Sequence, residues 1–243
     1  MIKEDIFVKP SPMKPSFFPA SKIVNKEYTL NPYLLKLRDE LKGIYFDFEP
    51  AAEMKGRWRS EVFKVSEETP LDLEIGTGNG FFFAHHCFQN PNRTLVGLEI
   101  KYKCLHQTLK RADSLGCINV RGVRMHATLI DKIFNPGEVD NTYIYFPDPW
   151  PKKRHHKNRL IQLDFLHTLF EIQKPGTFLE FKSDNLEYFE WTVERLKKSP
   201  YKIERLTNDL HSSEWAQENF QTHFEKLWTR KGIKTNLVRC ARN

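Results

Sequence analysis

Four cysteines, Cys87, Cys104, Cys117 and Cys240, are all that the 243 residues hold. None stands in a Cys-x-x-Cys pair or beside a histidine pattern. This excludes a zinc ribbon and a disulfide-stapled secreted scaffold, and leaves reduced thiols and no metal as the expectation. No apolar run approaches the roughly 20 residues of a membrane span. The opening MIKEDIFVKPSPMKPSFFP is too charged and proline-rich for a signal peptide, so a cytoplasmic protein without membrane attachment is expected. Internal repeats are missing as well. An acidic excess is also lacking: 38 Lys plus Arg stand against 31 Asp plus Glu, a formal charge of +7. The isoelectric point is near 9.1. Such a surface suits a polyanion such as nucleic acid, although a merely soluble basic surface carries the same charge.

What is present is enough for one large domain, or a domain with an appended arm, and a hydrophobic content of 40% supplies a core. Six of the 14 prolines, Pro10, Pro12, Pro15, Pro19, Pro32 and Pro50, fall in the first 50 residues among several lysines. Proline removes backbone donors, so residues 1–56 read as an extended arm with short helices, near 32–42 and 54–65, and no core is expected there. Residues 57–243 read as the main domain. Strands are predicted at 71–75, 94–98, 119–124, 141–146 and 177–182, with helices at 80–88, 102–115, 159–172 and 186–197. Runs at 202–206 and 236–240 predict two further strands closing the sheet antiparallel. Strands alternating with helices make this an α/β fold with a mostly parallel sheet.

In Glu74-Ile75-Gly76-Thr77-Gly78-Asn79-Gly80 the chain leaves a buried strand, passes beneath a ligand and enters a helix, and glycines remove the Cβ atoms that would obstruct it. The spacing G-x-G-x-G departs from the G-x-G-x-x-G of dinucleotide folds, which argues against a pyrophosphate and against a nicotinamide dehydrogenase. Glu74, two residues before the first glycine, suits a cation, and the α-ammonium of S-adenosylmethionine is one. Glu99 follows the next strand about 20 residues on, where an acid takes a ribose diol. Otherwise the glycines are a tight turn and Glu99 a solvated loop residue.

The fourth strand runs into Phe146-Pro147-Asp148-Pro149-Trp150-Pro151, then Lys152, Lys153, Arg154, His155, His156, Lys157 and Arg159. Ligands collect at the carboxyl ends of parallel strands, so Asp148 should face the crevice of the glycine loop. The cations concentrate charge for a phosphate backbone, if they are not simply a solvated face. Asp184, after the fifth strand, either accepts from a base edge or caps the helix that follows. The segment Thr222-His223-Phe224-Glu225 reads as a surface strand or turn.

On EIGTGNG, GLEIK, DPWPKKRHHKNR, FKSDN and THFE, the chain resembles the bacterial tRNA (guanine-N7)-methyltransferase family from Arg57 to the C-terminus. DPWPKKRH is the specific element, since many class I methyltransferases share such a glycine loop. The resemblance implies a Rossmann-like fold of seven strands with helices on both faces, S-adenosylmethionine as donor, and a variable-loop guanine of tRNA as acceptor. It implies Glu74, Gly76, Gly78, Glu99, His126 and Asp148 around the cofactor, with Asp148 catalytic. Lys152, Asp184, Thr222, His223, Phe224 and Glu225 are then expected to hold the substrate. At His126 the family usually has an aspartate. Two other readings stay open: an amino methyltransferase acting on an exocyclic base amine, and a noncatalytic RNA-binding protein on the same fold. Monomer and homodimer are both compatible with the sequence.

Overall fold

The computed structural model describes residues 31–243, so most of the expected lysine- and proline-rich arm lies outside the described residues. Eight strands form one sheet: β1 (Tyr45–Asp47), β2 (Leu71–Ile75), β3 (Thr94–Glu99), β4 (Val120–Arg124), β5 (Thr142–Tyr145), β6 (Thr177–Ser183), β7 (Lys202–Thr207) and β8 (Asn236–Arg242). Their spatial order is β1-β4-β3-β2-β5-β6-β8-β7. Pairing is parallel from β1 across to β6, and β8 lies antiparallel between β6 and β7. The predicted α/β sheet is present with eight strands rather than seven. The extra strand, β1, is three residues at the sheet edge, too short for an alternating pattern to declare itself.

The helices are α1 (Pro32–Glu40), α2 (Phe48–Glu53), α3 (Phe81–Gln89), α4 (Tyr102–Ser114), α5 (Ile130–Ile133), α6 (Leu163–Ile172), α7 (Leu186–Leu196) and α8 (His223–Thr229). One compact unit runs from Tyr33 to Asn243. The expectation of no core before residue 50 fails here, because Leu34, Leu37 and Leu41 are fully buried. The helix predicted at 54–65 is only a π-helical turn over Trp58–Phe63. It holds Trp58 in the core, where its Nε1 donates to the Ile133 carbonyl at 2.7 Å. The helix predicted from Arg159 starts four residues later, at Leu163.

Strand order reverses between β2 and β5. Right-handed crossovers therefore put α3 and α4 on one face of the sheet and α5, α6 and α7 on the other. Side chains alternate along β2: Leu71, Leu73 and Ile75 join the main apolar cluster with Ile133, Phe165 and Leu166. Asp72 and Glu74 point the other way, beneath α3. Asp72 accepts from His86 on α3 at 2.8 Å and from Arg93 at 2.5 and 2.7 Å, so this charge is paired as well as buried. The same face carries Tyr143, Tyr145, Glu180 and Lys182. Arg239, directly opposite Glu180 on β8, donates to it at 2.8 Å.

Gly97 on β3 sits opposite Glu74. A Cβ there would lie 2.5 Å from the ring of Phe83 on α3 and 2.7 Å from the methyl of Thr77 in the glycine loop. Gly97→Ala is expected to lower stability by about 1–3 kcal/mol through overpacking. Thermal or urea unfolding measures this, and an unchanged midpoint would show that Phe83 can move aside.

Candidate active site

β2 ends in a loop whose backbone turns through the left-handed region at Gly76, Gly78 and Gly80, with φ of +80°, +55° and +74°. At Gly80 space is the tighter constraint: a Cβ would stand 2.4 Å from Thr108 Cα on α4, so the loop closes onto that helix. At Gly76 and Gly78 a Cβ would meet nothing within 4 Å, which leaves the loop's outer side open. Glu99, at the end of β3, holds the loop in place. Its Oε2 accepts from the Gly78 N–H at 3.0 Å and its Oε1 from the Lys101 N–H at 2.9 Å.

Glu74 lies below this loop, 3% exposed, and its Oε2 is buried with no hydrogen-bond partner among the described residues. Burial, reinforced by the Glu99 carboxylate, raises its pKa well above the usual carboxylate range. A buried acid without a partner beside a second acid is an electrostatic defect that a cation corrects. The α-ammonium group of an amino-acid ligand fits that requirement. Among the described residues no group of three or more His, Cys, Asp or Glu side chains is arranged to hold a metal ion.

After β4, His126 caps a short 3-10 turn over Ala127–Leu129. Its Nδ1 lies 2.7 Å from the Thr128 hydroxyl and accepts from the Thr128 N–H at 3.3 Å. Much of the side chain stays in solvent, and the buried part of the ring lowers its pKa. Capping a turn is work that an aspartate does equally well, so the departure at this position preserves the local backbone.

After β5 the loop carries two strained residues, Phe146 at φ +53° and Trp150 at φ +44°. Such conformations persist only where the surroundings impose them. The Phe146 N–H donates to the Lys182 carbonyl at 2.9 Å, which restrains the first of the two. Arg159, 1% exposed, supplies the rest. Its Nε donates to the Pro149 carbonyl at 2.8 Å, and its two Nη groups grip the Glu187 carboxylate at 3.1 and 2.6 Å. The guanidinium also lies over the rings of Tyr188 and Trp191, 4.9 and 5.0 Å from their centroids. Read in the sequence as one cation of a phosphate-binding run, Arg159 is instead a buried clamp that ties the loop to α7. The hint was its position beside the apolar pair Leu160-Ile161. Asp148, on the loop so held, is exposed and has no hydrogen bond or ion pair among the described residues. Lys152, Lys153 and Arg154 are exposed beside it.

The segment 222–225 is the start of a helix, not a strand or turn. Thr222 and Glu225 form a capping box: Thr222 Oγ1 accepts from the Glu225 N–H at 3.1 Å, and Glu225 Oε2 accepts from the Thr222 N–H at 3.3 Å. The spacing Thr-x-x-Glu is itself the signal for such a start. Glu225 is completely buried, and its Oε1 also meets His211 at 2.6 Å and Asn219 at 2.7 Å. The two residues between them face the loops. His223 stacks on Phe81, at the entrance to α3, with ring centroids 5.3 Å apart, and Phe224 packs on Phe146 at 5.1 Å. α8 thereby touches both the glycine-loop helix and the Asp148 loop.

Asp184 does not cap α7. Asn185 does, accepting from the Tyr188 N–H at 2.8 Å. Asp184 is half-buried, which raises its pKa, and lines an open hollow of about 570 Å³ with Asp209 and Lys234.

A family model described as "Putative methyltransferase" matches residues 68–237. A tRNA (guanine-N(7)-)-methyltransferase of Bdellovibrio bacteriovorus is 49% identical over 205 residues, covering 84% of this chain and 98% of its own. One of the same name from Clostridium novyi is 34% identical, covering 82% and 92%. Among solved structures, a SAM dependent methyltransferase from Aquifex aeolicus superimposes with a TM-score of 0.51 at 16% identity, over 82% of this chain and 100% of that one, a likeness of fold.

Two substitutions test the geometry. Because the folded pKa of Glu74 is raised from its ordinary value of 4.5, the apo protein loses stability as pH rises from there through the folded value. Glu74→Gln removes that loss, and is expected to stabilise the apo protein by about 1–2 kcal/mol at neutral pH. Unfolding midpoints across a pH series measure it, and parallel curves for the two proteins would show that Glu74 has a partner in solution. Arg159→Lys keeps the charge but loses the fork, and is expected to cost about 1–3 kcal/mol in the same assay.

Proposed function

The chain belongs to the tRNA (guanine-N7)-methyltransferase family, and from that premise we propose that it transfers the methyl of S-adenosylmethionine to N7 of the variable-loop guanine of tRNA, in the cytoplasm. The observation that carries the reading is the partnerless, buried oxygen of Glu74 beneath the glycine loop, which the donor's ammonium group satisfies. When bound, the donor supplies an electrophilic methyl on a sulfonium.

In this reading the open outer side of Gly76 and Gly78 admits the donor. Glu99, with lone pairs beyond those that hold Gly78 and Lys101, accepts from the ribose diol. His126 lies at the adenine end, where Nε2 is left for one hydrogen bond. Asp148 would face both donor and base. Guanine N7 has an in-plane lone pair and no hydrogen, so no base is needed to unmask it, and the protein's part is alignment. Alignment can supply several of the roughly 7–11 kcal/mol available from orientation. The purine would gain positive charge on methylation, and a fixed carboxylate at Asp148 would stabilise that charge. The Arg159 clamp and the strained loop keep that carboxylate in place.

Lys152 meets phosphate, and Asp184 accepts from a donor of the bound RNA. Thr222 and Glu225 act by setting the α8 terminus, since their polar atoms are already engaged, while His223 and Phe224 offer ring surfaces to the substrate. The reading also rests on the exposed cations Lys152, Lys153 and Arg154 and on the names of the relatives.

Incubating tRNA with labelled donor, followed by nucleoside analysis, is expected to give 7-methylguanosine. A different methylated base or no product would overturn the proposal. Asp148→Ala should lower kcat by about 100-fold or more, as loss of an electrostatic stabiliser does, with far less change in donor affinity. Equal loss in both would make Asp148 a cofactor ligand instead.

A further inference from the structure

A hollow of about 710 Å³ lies between α3 and α4, lined by Phe81, His85, Phe88, His106, Lys110 and Arg111 among others. We infer that it is a second docking site for the substrate RNA, taking an unpaired nucleotide and phosphate that flank the reacting guanine. The inference rests on the proposed function, which makes tRNA the substrate.

Its chemistry is that of a single-stranded nucleic-acid surface, where flat rings alternate with cations. The Arg111 guanidinium lies 3.8 Å from the centroid of Phe81, the ring on which His223 also stacks. His85 stacks on Phe220 at 3.9 Å, and Phe88 is 55% exposed. Among the described residues no carboxylate lines the hollow. The nearest acids reach its cations only through long contacts, Glu40 with His106 at 3.7 Å and with Lys110 at 3.9 Å, and Asp113 with Lys110 at 3.7 Å. The half-exposed pairs of Lys110 hold their partners weakly and exchange readily for phosphate.

The hollow also borders the candidate active site, through Asn79 and His223. Arg111 Nε donates at 3.3 Å to the carbonyl of Asn79, within the glycine loop. His223 borders the hollow and begins α8, whose Phe224 packs on the Asp148 loop. An RNA strand with its guanine beside Asp148 can therefore pass over His223 and Phe81 into this hollow. Adjacency and charge both select RNA as its occupant.

Two variants on the outer part of the hollow separate its two contacts. Lys110→Glu should weaken tRNA binding roughly tenfold at low salt and reduce the log–log salt slope by about 1 or more, since a phosphate contact is lost. Phe88→Ala should weaken binding about fivefold or more through lost stacking and leave the slope unchanged. Donor affinity and thermal midpoint serve as checks on folding. Wild-type tRNA affinity and slope in both variants would overturn the docking site, as would equal competition by polyglutamate and an RNA fragment. If wild type makes no 7-methylguanosine while its tRNA affinity still depends on Lys110, the proposed function fails and the docking site stands.

Discussion

A buried carboxyl group that no described residue neutralises is the constraint around which the candidate site is built. Glu74 is held under the glycine loop by a strand paired on both sides, so it cannot swing out to water. Asp72, two residues earlier on the same face, shows the alternative, with His86 and Arg93 to balance it. The contrast separates structure from function within one strand. A buried charge that is paired supports the fold, whereas one left unpaired weakens it until a ligand arrives.

Around that charge the fold invests in rigidity. Glu99 ties down the glycine loop, Arg159 ties the Asp148 loop to α7, and the capping box fixes the start of α8, whose rings pack on Phe81 and Phe146. Each tie uses a charge-assisted or buried hydrogen bond, and each leaves one group exposed: the open side of the glycines, Asp148, and the rings of His223 and Phe224. Fixed groups of this kind suit the alignment of bound molecules.

Much of this was legible in the chain. The run Leu-Asp-Leu-Glu-Ile ending in spaced glycines predicts the strand and loop that form, because the ladder and the turn are short-range requirements. The strand starts at Thr94, Thr177, Lys202 and Asn236 are likewise where the short β-branched and aromatic runs put them. β1 was not legible, since three residues carry no period. α8 was legible in principle through Thr222-x-x-Glu225, but seven residues with a buried acid do not look amphipathic.

The amino-acid sequence by itself determined the order of the seven longer strands and the main helices between them, the turn chemistry of the glycine loop, and the placing of acids at strand ends. These follow from local periodicity and backbone preference. Only the tertiary structure decided which charges are spent within the protein. Arg159 and Lys152 look alike in the chain, yet one is buried in a fork with Glu187 and the other meets solvent. Asp184 and Asn185 are neighbours, yet only the second caps α7. Burial and partnership depend on residues distant in sequence, and the physical meaning of a charge is set by them.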